Sequence, residues 1–210
     1  AGLELVRIDA KAVVQDPLAL TELHLVFRNP EARVREGRFE ITLPEGAAIS
    51  RFAMKVGDQW QEGEVLEKQR ARQVYEDFLH RRQDPALLEQ QAANVFSARV
   101  FPIPAGARKE LIISYHQELV RSDEAYRLPL LGLPEVASLD LTVLVSKTNV
   151  AKPASNLGGA RTQHEVVNVK RTAWKPDQDL IVSPTPGAAP GLRDGDLVVA
   201  RVAPEFKQAP

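Results

Sequence analysis

The 210-residue sequence contains no cysteine, a single methionine and only two tryptophans. The absence of cysteine excludes disulfide bonds, thiol nucleophiles and cysteine-ligated metal sites. No stretch approaches the roughly 20 consecutive apolar residues of a transmembrane helix. A net charge of −1 leaves no basic excess for binding nucleic acid or an anionic membrane surface. The remaining composition is that of an ordinary globular protein, with enough chain for one large or two small domains.

Most of the chain shows the two-residue periodicity of half-buried strands. Leu23, Leu25 and Phe27 alternate with polar residues before a turn at Asn29-Pro30. The alternation in residues 3–14 shifts partway, which predicts a bulge or a bend. Equivalent alternation recurs in segments 39–43, 52–56, 111–115 and 139–145. A further strand at 95–100 is predicted to end before Pro102 and Pro104, which lack a backbone donor. These patterns predict a mainly β fold, an antiparallel β-sandwich.

The segment at about residues 67–82 has helical and not strand periodicity. Tyr75, Phe78 and Leu79 continue a three- and four-residue spacing that begins at Ala71, which predicts an amphipathic α-helix over about residues 67–82. Asp84-Pro85 is expected to end it, because the residue before proline disfavours the α conformation. A lone helix needs a sheet to cover, so we predict that it packs against the sandwich.

A set of residues from just before the predicted helix to well after it carries a family resemblance. In chain order they are Glu64, Glu67, Arg72, Tyr75, Glu76, Glu89, Gln90, Asn94, Phe96, Pro102 and Pro104. With Gly63, Gly106, Tyr115 and Gln117, this series resembles the VIT (vault protein and inter-alpha-trypsin) domain family, as found in inter-alpha-trypsin inhibitor heavy chains. The resemblance thins before residue 46 and after residue 119, where only the rhythm of strands agrees.

The resemblance implies a signature that maintains a fold. Asn and Asp side chains readily satisfy backbone groups in tight turns, so Asn94, with Glu89 and Gln90, is expected to hold the connection between helix and sandwich. The alternative is that these polar residues display an edge for binding a partner.

The character of the chain changes after residue 120. We predict a VIT domain over residues 1–120 and a second small β-unit over 121–205, packed on the first or completing it. In related proteins a von Willebrand factor A domain usually follows, and its metal site needs an Asp-x-Ser-x-Ser loop. Asp140-Leu-Thr-Val-Leu does not supply that loop. We therefore expect either the N-terminal part of a longer protein or a family member without the A domain.

Catalytic and metal-binding patterns receive little support. His24, His80, His116 and His164 show no i,i+4 spacing, and no G-x-S-x-G elbow is present. The acidic residues near the signature are interleaved with basic ones, as on a solvated face. The Arg193-Asp-Gly-Asp segment is expected to be a turn and not a calcium loop. We predict no catalytic residue, no cofactor and no metal.

The resemblance implies a non-catalytic protein-interaction or scaffolding module. Its expected partner is a protein, one candidate being an adjacent von Willebrand factor A domain, with neither nucleic acid nor a membrane-spanning segment involved. One alternative is a carbohydrate-binding sandwich of the cell envelope that stacks sugars on Trp60, Trp174 or Tyr126. Another is a hydrolase whose histidine and carboxylate groups are brought together only in space.

Overall fold

The computed structural model describes residues 2–15, 17–67, 87–92, 94–120, 124–146, 153–163, 165–183 and 191–200. These residues form strands and no helix, and hence no helix able to cross a membrane. In chain order the strands are β1 (Glu4–Gln15), β2 (Leu18–Arg28), β3 (Arg35–Thr42), β4 (Ala48–Val56), β5 (Gln59–Glu62), β6 (Glu64–Glu67), β7 (Leu87–Ala92), β8 (Val95–Ile103), β9 (Arg108–Glu118), β10 (Tyr126–Leu128), β11 (Val136–Val145), β12 (Ala154–Ser155), β13 (Arg161–Gln163), β14 (Val166–Trp174), β15 (Leu180–Ser183), β16 (Gly191–Asp194) and β17 (Leu197–Ala200).

Two sheets contain most of these strands. The large sheet has the order β13–β14–β11–β1–β2–β9–β4–β5, and the small sheet the order β3–β8–β7–β6. Strands β10, β15 and β12 form a third sheet, and β16 pairs with β17 across a turn at Gly195, where φ is 56°. The turn predicted at residues 193–196 is therefore confirmed.

The two main sheets share one hydrophobic core. Side chains on the inner face of the large sheet, among them Leu23, Leu25 and Ile113, belong to the same buried cluster as Phe39 and Phe96 of the small sheet. Phe27 also meets Phe39 edge-on, with ring centroids 5.8 Å apart. Each fully buried aliphatic or aromatic side chain contributes roughly 1.5–3 kcal/mol. The outer face of the large sheet is mostly polar, with exposed Val13, Leu20 and Leu144 on neighbouring strands at one end.

The predicted alternation matches this arrangement, including its irregularity. The register of β1 against β2 shifts between Leu5 and Arg7, which confirms the predicted bulge. Beyond it, Ile8 and Ala10 face the core, whereas Asp9 lies on the outer face.

Strand direction differs from the prediction at two places. Most pairings are antiparallel, but β1 with β11 and β6 with β7 are parallel. Periodicity records only which side chains are buried, and parallel and antiparallel strands bury alternate residues alike. The sequence pattern therefore predicts where the strands lie but not which strands pair or in which direction.

The predicted second unit joins the first through backbone pairing. Strand β11 lies beside β1 from the pair Leu5 and Val136 to the pair Val14 and Val145. The Tyr126 hydroxyl is 2.7 Å from Thr21 Oγ1 in a buried position. Strands on both sides of residue 120 thus belong to one sheet. The division into a domain over residues 1–120 and a second unit over 121–205 stays a prediction.

The predicted amphipathic helix at about 67–82 has no support in the structure. Glu67, where it was expected to begin, is the last residue of β6. The remaining residues of the predicted helix lie outside those described.

The strand predicted at 95–100 is longer than expected. β8 continues through Pro102 to Ile103. Beyond Ala98 the strand pairs with β3 alone among the described strands, and the β3 register shifts between Arg35 and Gly37, opposite the proline. A bulge next to an incompletely paired strand accommodates a residue without an N–H, which explains why Pro102 does not end β8.

Candidate functional site

The acidic and amide residues of the sequence signature lie on adjacent strands of the small sheet. Glu64 and Glu67 are in β6, and Glu89 and Gln90 are in β7; in the parallel register Glu67 is opposite Gln90. Only the backbone positions of these four residues are described. Arg72, Tyr75 and Glu76 lie outside the described residues.

Asn94, which precedes β8, is hydrogen-bonded to Leu43, which follows the neighbouring strand β3. Its Nδ2 donates to the Leu43 carbonyl at 3.2 Å, and the Leu43 N–H donates to the Asn94 carbonyl at 2.8 Å. Phe96, two residues further on, is 3% exposed and belongs to the core. In the structure these two signature residues contact the protein's own framework.

The loop that contains Pro104 of the signature is hydrogen-bonded to Asn29, a residue that the sequence marks only as part of a turn. Asn29 is fully buried, and its Nδ2 lies 2.9 Å from the Ile103 carbonyl and 3.1 Å from that of Pro104. The Ala107 N–H also donates to Pro104. Asn29 therefore fastens the end of β2 to the loop that follows β8.

The outer face of the large sheet brings a histidine between two carboxylates. His24 Nε2 lies 2.8 Å from a carboxylate oxygen of Glu110, and its Nδ1 lies 4.0 Å from one of Asp9. Glu110 also accepts from Lys55 at 2.9 Å, and Arg7 pairs with Asp9. No local pattern in the sequence predicts this cluster, because β2 and β9 become neighbours only in the folded sheet.

Many of the charged side chains on this outer face are paired with one another. Partial burial raises the pKa of Glu110, but hydrogen bonds from Lys55 and His24 outweigh it and leave that pKa below its ordinary value. A further ion-paired group joins Arg51 to Glu62 at 2.8 Å and to Glu22 at 3.7 Å. The ion-paired side chains of both groups carry three positive and four negative charges, counting histidine as neutral. A cavity of about 340 Å³ beside His24 has the same mixed lining.

The aromatic residues considered for sugar stacking do not share a surface. Tyr126 is buried, and Trp60 meets His24 edge-on at 5.5 Å. Trp60 is on β5 and Trp174 on β14, which lie six strand spacings apart in the large sheet, or roughly 29 Å. They do not form a common groove.

A second concave surface follows the edge strand of the small sheet. We call it the β3 groove: two adjoining cavities of about 600 and 420 Å³ that both contact Glu40 of β3 and Gly132-Leu133 of the facing loop. Asn94 and Gln117 line the larger cavity. Both residues belong to the series that carries the family resemblance.

The loop that forms the far wall of the groove is fixed by Asp179. The carboxylate accepts from the N–H groups of Leu130 and Leu131, both at 2.8 Å, and from Arg127 Nε at 2.6 Å. Burial raises the pKa of Asp179, but these donors together outweigh it and hold that pKa below its ordinary value. The wall is therefore held by an acid that directly precedes β15 and that no pattern in the sequence singles out.

Gln117 is the unusual member of the groove. It is 3% exposed, and its Oε1 has no hydrogen-bond partner within the described part of the chain. An unsatisfied buried acceptor costs about 1–3 kcal/mol, so native proteins seldom retain one without a reason.

No cluster of three potential metal ligands occurs among the described residues.

Comparison with known proteins gives one clear assignment. A sequence model of the vault protein inter-alpha-trypsin domain matches residues 5–115. A search of curated proteins gave no match.

Solved structures are similar in fold at low sequence identity. A candidate nutrient-binding protein from Legionella pneumophila superposes with a TM-score of 0.53 and 10% identity, over 87% of this chain and 67% of that one. A two-domain M1 zinc metallopeptidase gives a TM-score of 0.44 at 15% identity, over 95% of this chain and 47% of that one. A candidate protease from Parabacteroides distasonis gives 0.47 at 10% identity, over 89% and 41%. The chain thus spans less than half the length of both peptidases.

Proposed function

The chain belongs to the vault protein inter-alpha-trypsin (VIT) domain family, and on that premise we propose that it is a non-catalytic protein-interaction module of a larger protein. The observation that carries the proposal is the family match over residues 5–115, more than half of the chain. A von Willebrand factor A domain in the same protein is one proposed partner.

The placement of the signature supports this function over catalysis. Asn94 and Phe96 contact the backbone and the core, and Pro104 is held by Asn29. A signature that preserves a fold leaves the surface to determine binding, as expected of a module used in different proteins. The β3 groove offers such a surface, open to solvent beside an edge strand.

A hydrolase remains the second candidate because of one observation, the position of His24 between Asp9 and Glu110. A histidine oriented by a carboxylate is the usual general base. Against this, Glu110 is already paired with Lys55, and in the cavity beside His24 Asp9 is paired with Arg7. We therefore assign His24 to the structural network of the outer face.

Affinity capture with an activity control tests the proposal. The absence of cysteine allows immobilisation through one introduced thiol, as in Asp58→Cys on the exposed β4–β5 turn. The expected result is saturable capture of a defined protein from the source cells, competed by free chain, with His24→Ala capturing equally well. Hydrolysis of ester, peptide or glycoside substrates by the pure chain, abolished by His24→Ala with the fold intact, would overturn the proposal.

A further inference from the structure

We propose that the β3 groove binds an extended, positively charged segment of a partner protein, with lysine or arginine side chains directed at its carboxylates and at Gln117. This inference rests on the proposed interaction function and specifies its site and the chemistry of its ligand. Three independent features support it: the net charge of the groove, the unsatisfied acceptor of Gln117 and the shape of the groove.

The charge of the groove is strongly one-sided. Its two cavities are lined by five carboxylates and only two guanidinium groups, a net charge of −3, although the whole chain carries only −1. The carboxylates are Glu36, Glu40, Glu45, Glu124 and Asp179, and the two guanidinium groups pair with two of them, Arg38 with Glu40 and Arg127 with Asp179. Charge complementarity steers a cationic ligand towards such a concave surface and disfavours nucleic acid or an acidic peptide.

The unsatisfied acceptor identifies the kind of group that the groove lacks. Gln117 lines the larger cavity, and its buried Oε1 has no donor within the described residues. A carbonyl oxygen can only accept, so the missing group is an N–H or O–H donor. Lysine and arginine side chains supply donors together with positive charge, and therefore satisfy the acceptor and complement the net negative charge of the groove.

The shape of the groove favours an extended chain. Both cavities lie against β3, the edge strand of the small sheet, and face the same loop at Gly132-Leu133. β3 has eight residues, or roughly 26 Å at the rise of a strand. Leu131, 62% exposed at the rim, offers an apolar contact between the charged positions. An extended segment of about eight residues, lying beside an edge strand, fits these dimensions.

Peptide binding followed by fluorescence anisotropy tests the inference. The probe is a fluorescein-labelled octapeptide of alternating lysine and threonine, compared with a glutamate–threonine peptide and with a block peptide of four lysines and four threonines. Alternating lysines project from one side of an extended chain. We expect binding of the alternating peptide, weaker binding of the block peptide and none of the acidic peptide, with affinity falling as salt is raised.

Matched variants locate the site. Glu45→Lys at the groove is expected to weaken binding about fivefold, whereas Glu165→Lys, an equally exposed reversal in the turn before β14, should change it less than twofold. Gln117→Leu should weaken binding about fivefold by removing the acceptor. Urea midpoints of all variants would establish that each is folded.

Several outcomes would overturn the inference. Equal weakening by Glu45→Lys and Glu165→Lys, or equal affinity for the alternating and block peptides, would indicate only diffuse attraction between charges. Self-association that Glu45→Lys abolishes would assign the groove to a second copy of the chain. Absence of peptide binding, together with intact capture of a partner that ignores Glu45→Lys, would refute this site and leave the proposed function standing.

Discussion

The outer face of the large sheet and the β3 groove are both polar surfaces, but they differ in how their polar groups are satisfied. On the outer face, His24, Glu110 and Lys55 form a connected chain of contacts, with nearby ion pairs of almost balanced charge. In the groove, carboxylates outnumber guanidinium groups and the buried oxygen of Gln117 has no donor within the described chain. The first surface is complete by itself, whereas the second keeps a net negative charge and one buried acceptor without a donor among the described residues.

This difference shows why a histidine between carboxylates is a poor guide to function here. The arrangement resembles an acid–base site, yet its groups are used in pairing with one another, which is a common structural role of charges on a sheet face. The groove contains no reactive group of that kind. Its missing hydrogen-bond donor and excess negative charge are the features that point outside the molecule.

Removal of the groove wall should have the largest effect. Asp179→Ala leaves the N–H groups of Leu130 and Leu131 without their acceptor, and we expect a loss of about 2–4 kcal/mol in the free energy of unfolding. Urea denaturation followed by circular dichroism measures this. Asp179→Asn is the matched control, since its amide oxygen can still accept, and it should lose less than half as much. Equal losses in the two variants would mean that the carboxylate charge, not the cap on the loop, holds the wall.

The unsatisfied acceptor should give a smaller effect of opposite sign. Gln117→Leu replaces a buried oxygen that has no donor by an apolar group of similar size, so the unliganded protein should gain about 1 kcal/mol in stability while losing peptide affinity. For a chain of this length, that gain corresponds to a melting temperature higher by roughly 2–4 °C. Destabilisation by more than about 1 kcal/mol would show that Gln117 serves the fold and would remove the contrast between the two surfaces.

The outer face should respond least, and only through pH. The folded-state pKa of Glu110 is lowered, so its stabilising contribution is present above the pKa of the unfolded carboxyl, about 4.3, and is lost as pH falls through the folded value. Glu110→Gln should cost less than about 1 kcal/mol at pH 7, and the difference from wild type should shrink as the pH falls below about 4.3 and vanish below the folded-state pKa. Urea denaturation at pH 3–8 measures both curves. A constant difference across that range would exclude an electrostatic role for Glu110.

Much of the β architecture follows from the sequence because alternation reports burial directly. The inward direction of Leu23 and Leu25, the outward direction of His24 and the β1 bulge all follow from adjacent residues. The parallel pairing of β1 with β11 does not, because strand order depends on contacts between residues more than a hundred positions apart.

The candidate sites were harder to foresee for the same reason. His24 and Glu110 are 86 residues apart, and Asp179 reaches the N–H of Leu131 across 48 residues. Gln117 matched the family signature, but no pattern in the sequence indicates that its carbonyl oxygen is left without a donor. Local chemistry identified Asn94 as a residue suited to a turn; its contact with Leu43 depends on the tertiary fold.

Hydrogen exchange of the backbone amides, with and without the alternating lysine–threonine peptide, tests most directly which of the two surfaces binds. We expect slower exchange in residues 36–45 and 129–133 at saturating peptide, with no change in β5 or in residues 7–11 of the outer face. Protection confined to the outer-face strands, or bound peptide without protection along β3 and the facing loop, would contradict the assignment of the β3 groove as the binding surface.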